Sequence, residues 1–134
     1  MRSPSLFQSR LEDIPLSLKR KFKQIRDNYV IGQVARLSLP DFPDEPPCRL
    51  RVHFSGRVQK VGFRLEVCEL AARLSLTGFC RNLEDGSVLA EFQGPRSKID
   101  FLLAFMESLK RIRITHKTVE KLPVLPEEIG FARR

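Results

Sequence analysis

Gly56-Arg57-Val58-Gln59-Lys60-Val61-Gly62-Phe63-Arg64 separates two segments of different hydrophobic period. Before it, Leu50, Val52 and Phe54 alternate with Arg49, Arg51 and His53, as in a strand with one buried face. After it, Phe63, Val67, Leu70, Ala71 and Leu74 recur at helical spacing. The loop therefore carries the chain from a strand into an amphipathic helix. Glycine stands at both ends and cations lie within. Such a loop can curl its N–H groups around an anion, with the helix N-terminus adding partial positive charge. Arg64, at the start of the helix, can clamp a phosphate or carboxylate with its planar fork of donors. On spacing alone an ordinary tight turn with solvated charges fits the same stretch, and the two readings stay open.

Working outward, Leu76 to Asn82 reads as a second strand and Asp85-Gly86 as the turn of a hairpin. Val88, Ala90 and Phe92 alternate as a third strand. Gly94-Pro95 opens a second helix, with Ile99, Leu102, Leu103, Met106 and Leu109 on its buried face. Ile114 to Leu122 forms a weaker fourth strand, and Ile129 to Arg133 a short closing one. The order β-α-β-β-α-β predicts an α+β, ferredoxin-like sandwich, an antiparallel sheet with two helices on one face.

Upstream, Leu11, Ile14, Leu18, Phe22, Ile25 and Tyr29 recur in steps of three and four, faced by Lys19, Arg20, Lys21 and Lys23. Asp13 suits the cap of this helix and Pro15 its first turn. Gly32 weakens the pattern, and Pro40, Pro43, Pro46 and Pro47 mark a stiff, extended linker. The expected organisation is a helical extension over 1–39, a linker over 40–47 and a domain over 48–134. The apolar stripe is the natural cover for the open face of the sheet.

Composition narrows the function classes. Hydrophobic content of 42% and charged content of 30% are globular values. Cys48, Cys68 and Cys80 lack metal-ligand spacing, and an odd count argues against a disulfide framework and for a reducing compartment. His53 and His116 have no motif neighbours, so no metal site is expected. The net charge of +8 favours anionic partners. No apolar run reaches membrane-span length, and the N-terminus lacks the apolar core of a secretory signal, so a cytoplasmic protein is expected. Glu12, Asp13 and Asp27 dilute the basic stripe, which argues against membrane-surface binding.

The opening stretch resembles the signature loop of the acylphosphatase family, G-[RK]-V-Q-G-V-x-F-R. Thr77-Gly78-Phe79-Cys80-Arg81-Asn82-Leu83-Glu84-Asp85-Gly86-Ser87-Val88 is similar to the family's G-[WF]-V-x-N-x-x-D-G-x-V, and Gln93-Gly94 to the pair closing its third strand. The resemblance covers roughly residues 48–134. It implies hydrolysis of small acyl phosphates without metal or cofactor. In that reading Arg64 grips the phosphoryl oxygens, the N–H groups of Arg57, Val58, Gln59, Lys60, Val61, Gly62 and Phe63 line the cradle, and Asn82 holds the attacking water. Read by itself, Asn82 is better explained as a turn residue before Asp85-Gly86, and only the loop motif favours the water-positioning role; Glu84 and Asp85 read as turn chemistry.

One position departs from the family pattern: Lys60 stands where the loop has glycine. If that position needs a left-handed backbone, a side chain there costs about 1–2 kcal/mol. The alternative is thus a catalytically impaired anion-binding or protein-interaction module, with the extension free to dock a protein partner. Specific nucleic-acid binding is not expected, because Arg51, His53, Leu89 and Glu91 on the outward face give no aromatic stacking platform.

Overall fold

The computed structural model describes residues 14–134. Its elements are α1 (Leu16–Arg36), β1 (Cys48–Arg57), α2 (Phe63–Arg73), β2 (Thr77–Asn82), β3 (Val88–Gly94), α3 (Arg96–Ser108), β4 (Arg113–Leu122) and β5 (Phe131–Arg133). The sheet order is β4-β1-β3-β2-β5. The four long strands pair antiparallel, whereas β5 runs parallel to β2, so the sheet is mixed rather than purely antiparallel. The fold is the expected ferredoxin-like sandwich with one strand added at an edge.

The alternating residues of β1 and β3 meet the apolar stripes of α2 and α3. Val52, Phe54, Val88, Ala90 and Phe92 have no exposed surface, nor do Val67, Leu70, Ile99, Leu102 and Met106. Phe54 and Phe63 pack edge to face at 4.9 Å, which sets the first turn of α2 against the end of β1. Loop placement thus follows directly from core packing.

The N-terminal stripe behaves differently from its expected role. Helix α1 packs on α2 and buries Val30 and Val34. Leu18, Phe22, Ile25 and Tyr29, which share the sequence stripe, are exposed. Leu11 and Asp13 lie outside the described residues. The open face of the sheet is covered instead by polar chemistry. Arg49 is only 2% exposed, and donates to Glu91 at 2.9 Å, Gln93 at 3.2 Å and Glu128 at 2.7 Å. Gln93 also donates to the Leu125 carbonyl, and the Leu125 N–H donates back to Gln93. An apolar helix laid over this face would strip solvent from a charged network.

Residues 37–47 are extended but not a free spacer. Leu37, Leu39 and Phe42 pack against the core, and Phe42 meets Phe101 edge to face at 5.6 Å. Glu45 accepts hydrogen bonds from the Ser97 N–H and hydroxyl at the start of α3. Arg73 holds the end of α1 by donating to the carbonyls of Val34 and Leu37.

Candidate active site

The loop leaves the sheet through a bulge. The register of β1 against β4 shifts between Ser55 and Gly56. Gly56 has φ 120°, and a Cβ there would lie 2.1 Å from the Arg113 carbonyl oxygen, so only glycine fits. The loop closes at Gly62, whose left-handed φ of 79° opens α2. Lys60, between them, has φ 63°. The left-handed conformation that glycine adopts freely is therefore present with a lysine in place.

Two arginines from outside the loop hold it. Arg26 of α1 donates from Nη1 to the Lys60 carbonyl at 3.0 Å. Arg111 donates from Nε to the Val61 carbonyl at 2.7 Å and from Nη2 to Glu66 Oε1 at 3.3 Å. Glu66 is fully buried in the first turns of α2, and that burial pushes its carboxyl above the usual range, against the pull of Arg111. Among the described residues, no acceptor within the protein takes the N–H groups of Gln59, Lys60, Val61 or Gly62. Consecutive amides in this state form a ready anion nest.

Arg64 lies in the first turn of α2 and donates from Nη1 to the Arg134 main-chain oxygen at 2.9 Å. Strand β5 brings Arg134 there by pairing with β2. Across the cradle, Gln59 Nε2 donates to the carbonyls of Leu83 and Ser87, both at 2.8 Å, and so ties the loop to the β2–β3 turn. That turn is built by Asp85, which accepts from the Ser87 N–H at 3.0 Å and from its hydroxyl. These bonds from Ser87 hold the Asp85 carboxyl below its ordinary range. Asn82 ends β2 at the edge of the same turn, with its side chain exposed and in no hydrogen bond among the described residues.

Val58, Gln59, Lys60, Gly62, Phe63, Arg64 and Asn82 line one cavity of about 530 Å³. Two residues of the sequence-read loop are not in its wall. Arg57 points to the α3–β4 turn, donating to the Lys110 carbonyl at 3.3 Å, and Val61 packs against the core. Six further wall residues carry no site signal in the sequence: Lys19, Lys23, Arg26 and Asp27 from α1, Leu65, and Arg133 from β5. The basic spacing of Lys19 and Lys23 is visible there, but it reads only as a solvated helix face.

The sequence profile of the acylphosphatase family matches residues 50–132. The chain belongs to the acylphosphatase family. An acylphosphatase from Syntrophotalea carbinolica is 48% identical over 61 residues, covering 46% of this chain and 66% of that protein, just under two thirds. One from Rubrobacter xylanophilus is 40% identical over 87 residues, covering 64% of this chain and 79% of that one. An acylphosphatase structure from Coxiella burnetii superposes with a TM-score of 0.61 at 29% identity, covering 66% of this chain and 93% of that one. The acylphosphatase match thus spans the ferredoxin-like domain and leaves α1, with its four residues in the cavity wall, outside it.

Outside the site, burial pushes the Cys68 thiol up to about 11 and the Cys80 thiol higher still. These are inert packing thiols rather than nucleophiles. Among the described residues, no group of three or more His, Cys, Asp or Glu is placed to hold a metal ion, and no helix is long and apolar enough to cross a membrane.

Proposed function

We propose that the loop, Arg64 and Asn82 carry out in this chain the reaction its family membership implies, hydrolysis of an acyl phosphate to carboxylate and phosphate. The observation that carries this reading is one wall holding Arg64, the loop and Asn82 around a single cavity. The phosphoryl group sits in the nest of unpartnered amides from Gln59 to Gly62, with two oxygens toward the Arg64 guanidinium. The bond from Arg64 Nη1 to Arg134 fixes the orientation of that fork before substrate arrives.

Asn82 Oδ1 accepts a hydrogen bond from the attacking water and aims its oxygen at phosphorus. A P–O bond forms to water as the P–O bond to the acyl oxygen breaks. The electron pair leaves on the carboxylate, and the water's surplus proton passes to the phosphate product or to solvent. A carboxylate is a good leaving group, so the protein need supply only position and charge.

Lys60 fits this reading. Its φ of 63° is the left-handed geometry that a glycine would supply, so the cradle is formed with the lysine in place. That weakens the case for an impaired, non-catalytic module. The test is hydrolysis of benzoyl phosphate in the presence of EDTA, wild type beside Arg64→Ala. Turnover that falls by about 100-fold or more in the variant, as for loss of a charge-stabilising donor, supports the assignment. An inactive but folded wild type refutes it.

A further inference from the structure

Helix α1 adds to the cavity a cationic wall that a bare phosphoryl group does not need. Lys19, Lys23 and Arg26 follow the i, i+4, i+7 spacing of one helical stripe, and all three line the cavity. Arg26 is fixed against the loop by its bond to the Lys60 carbonyl, and its charge is balanced by Asp27 at 3.1 Å. Lys23 and Lys19 therefore stand about 4.5 and 10.5 Å further along the helix axis from that anchor. On the loop side, Lys60 and Arg133 complete the wall. Asp27 pairs with Arg26, and among the described residues the side chains of Lys23 and Lys60 are in no ion pair or hydrogen bond. The cavity, at about 530 Å³, is of the size that takes a whole small molecule rather than a phosphate alone.

We propose that this wall is a second anion subsite, and that the chain prefers acyl phosphates whose acyl half carries its own carboxylate or phosphate. The inference rests on the acyl phosphate reading above. The phosphoryl group occupies the amide nest at Arg64, and the acyl half extends toward α1. A second anion several ångströms away then meets Lys60 and Lys23 in turn. Lys60 is part of this device: the position that is glycine in the family's loop places an ammonium at the rim, and Arg26 holds its backbone there.

The experiment compares 4-carboxybenzoyl phosphate with its neutral isostere, 4-carbamoylbenzoyl phosphate, and with 4-(phosphonooxy)benzoyl phosphate. The wild type should show a lower KM for both anionic substrates at similar kcat, by about 5- to 20-fold if several exposed ion pairs contribute. The phosphonooxy arm tells whether a phosphate or a carboxylate is the better second anion. Lys23→Gln should reduce the charged-to-neutral ratio of kcat/KM by about 2- to 5-fold, and added salt should flatten it. A wild-type ratio near one, or a ratio that Lys23→Gln does not move, overturns the subsite while leaving the hydrolase intact. Failure to turn over any of the three substrates overturns the acyl phosphate reading and the subsite with it.

Discussion

Arg26 of the N-terminal helix donates a hydrogen bond to the main-chain carbonyl of Lys60, 34 residues away, at 3.0 Å. The contact joins an element outside the acylphosphatase match to the one loop position where the chain departs from the family pattern. Arg26 is already paired with Asp27, so its guanidinium is oriented before it reaches the loop. The loop conformation, strained for a lysine, is thereby braced from outside.

Replacing Arg26 with Ala removes one hydrogen bond of about 1 kcal/mol to the loop. It should lower the melting temperature by a few degrees and raise KM for benzoyl phosphate several-fold. The converse variant, Lys60→Gly, relieves a left-handed strain of about 1–2 kcal/mol, partly offset by the chain entropy of glycine. It should raise stability by up to about 1 kcal/mol while changing turnover of benzoyl phosphate by less than about 3-fold, because the backbone already has glycine's geometry. Thermal melts and steady-state kinetics on both variants check this pair. Turnover that rises by about 100-fold in Lys60→Gly would show that the lysine misplaces the cradle.

Asn82 offers a clean separation of chemistry from stability. Its side chain is exposed and makes no hydrogen bond among the described residues, so Asn82→Ala should leave the melting temperature unchanged. If it positions the attacking water, kcat falls by about 100- to 1,000-fold while KM barely moves. An equal loss in kcat/KM arising wholly from KM would instead make it a binding residue.

Most of the domain is legible from residues 48–134 because each element carries a strict period. The alternation of Leu50, Val52 and Phe54 and the helical spacing of Phe63, Val67 and Leu70 describe faces that the structure buries. The loop is legible through its glycines and through Arg64. Three things are not. Local pattern does not show that β5 lies parallel to β2, because that depends on the 123–130 segment carrying the chain from β4 at one edge of the sheet to β5 at the other, past Arg49 and Gln93. The outward face of β1 and β3 reads as solvated, yet Arg49 is buried there through partners up to 79 residues away. Helix α1 has the strongest apolar stripe in the first third of the chain, but Val30 and Val34, off that stripe, dock it. Docking through Val30 and Val34 turns Lys19, Lys23 and Arg26 toward the cavity, where Arg26 finds the Lys60 carbonyl, and leaves the stripe from Leu18 to Tyr29 exposed.

That orientation predicts where the helix is sensitive. Val34→Ala should destabilise by about 1–2 kcal/mol, since it empties a buried site between α1 and α2. Phe22→Ala, 53% exposed, should change stability by less than about 0.5 kcal/mol despite removing the larger side chain. Chemical denaturation of the two variants decides it. The opposite ranking would put α1 on its apolar stripe, as the sequence first suggests. Deleting residues 1–47 should lower both the melting temperature and the affinity for phosphate, since the same helix covers α2 and walls the cavity.

The pH dependence of stability should divide between two carboxyls of opposite sign. Hydrogen bonds from Arg49 hold the Glu128 carboxyl below its ordinary value of 4.5, against a smaller effect of burial. Its folded pKa is lower than its unfolded one, so its contribution is complete above pH 4.5 and is lost as pH falls through the folded value. Glu66 is the reverse: burial raises its folded pKa, so it favours folding below pH 4.5 and loses that contribution as pH rises through the folded value. Glu128→Gln should therefore destabilise by about 1–2 kcal/mol at pH 7, moderated because Glu91 still pairs with Arg49, and by progressively less as pH falls below 4.5. Glu66→Gln should compare more favourably with wild type at about pH 7 than at about pH 4, since it removes a buried charge at the cost of a weaker partner for Arg111. Denaturation midpoints for both variants between about pH 3 and 8 measure the two slopes. Slopes of the same sign would mean that the Arg111 pairing, not burial, governs Glu66, and that the brace on the Val61 carbonyl is an ion pair before it is anything else.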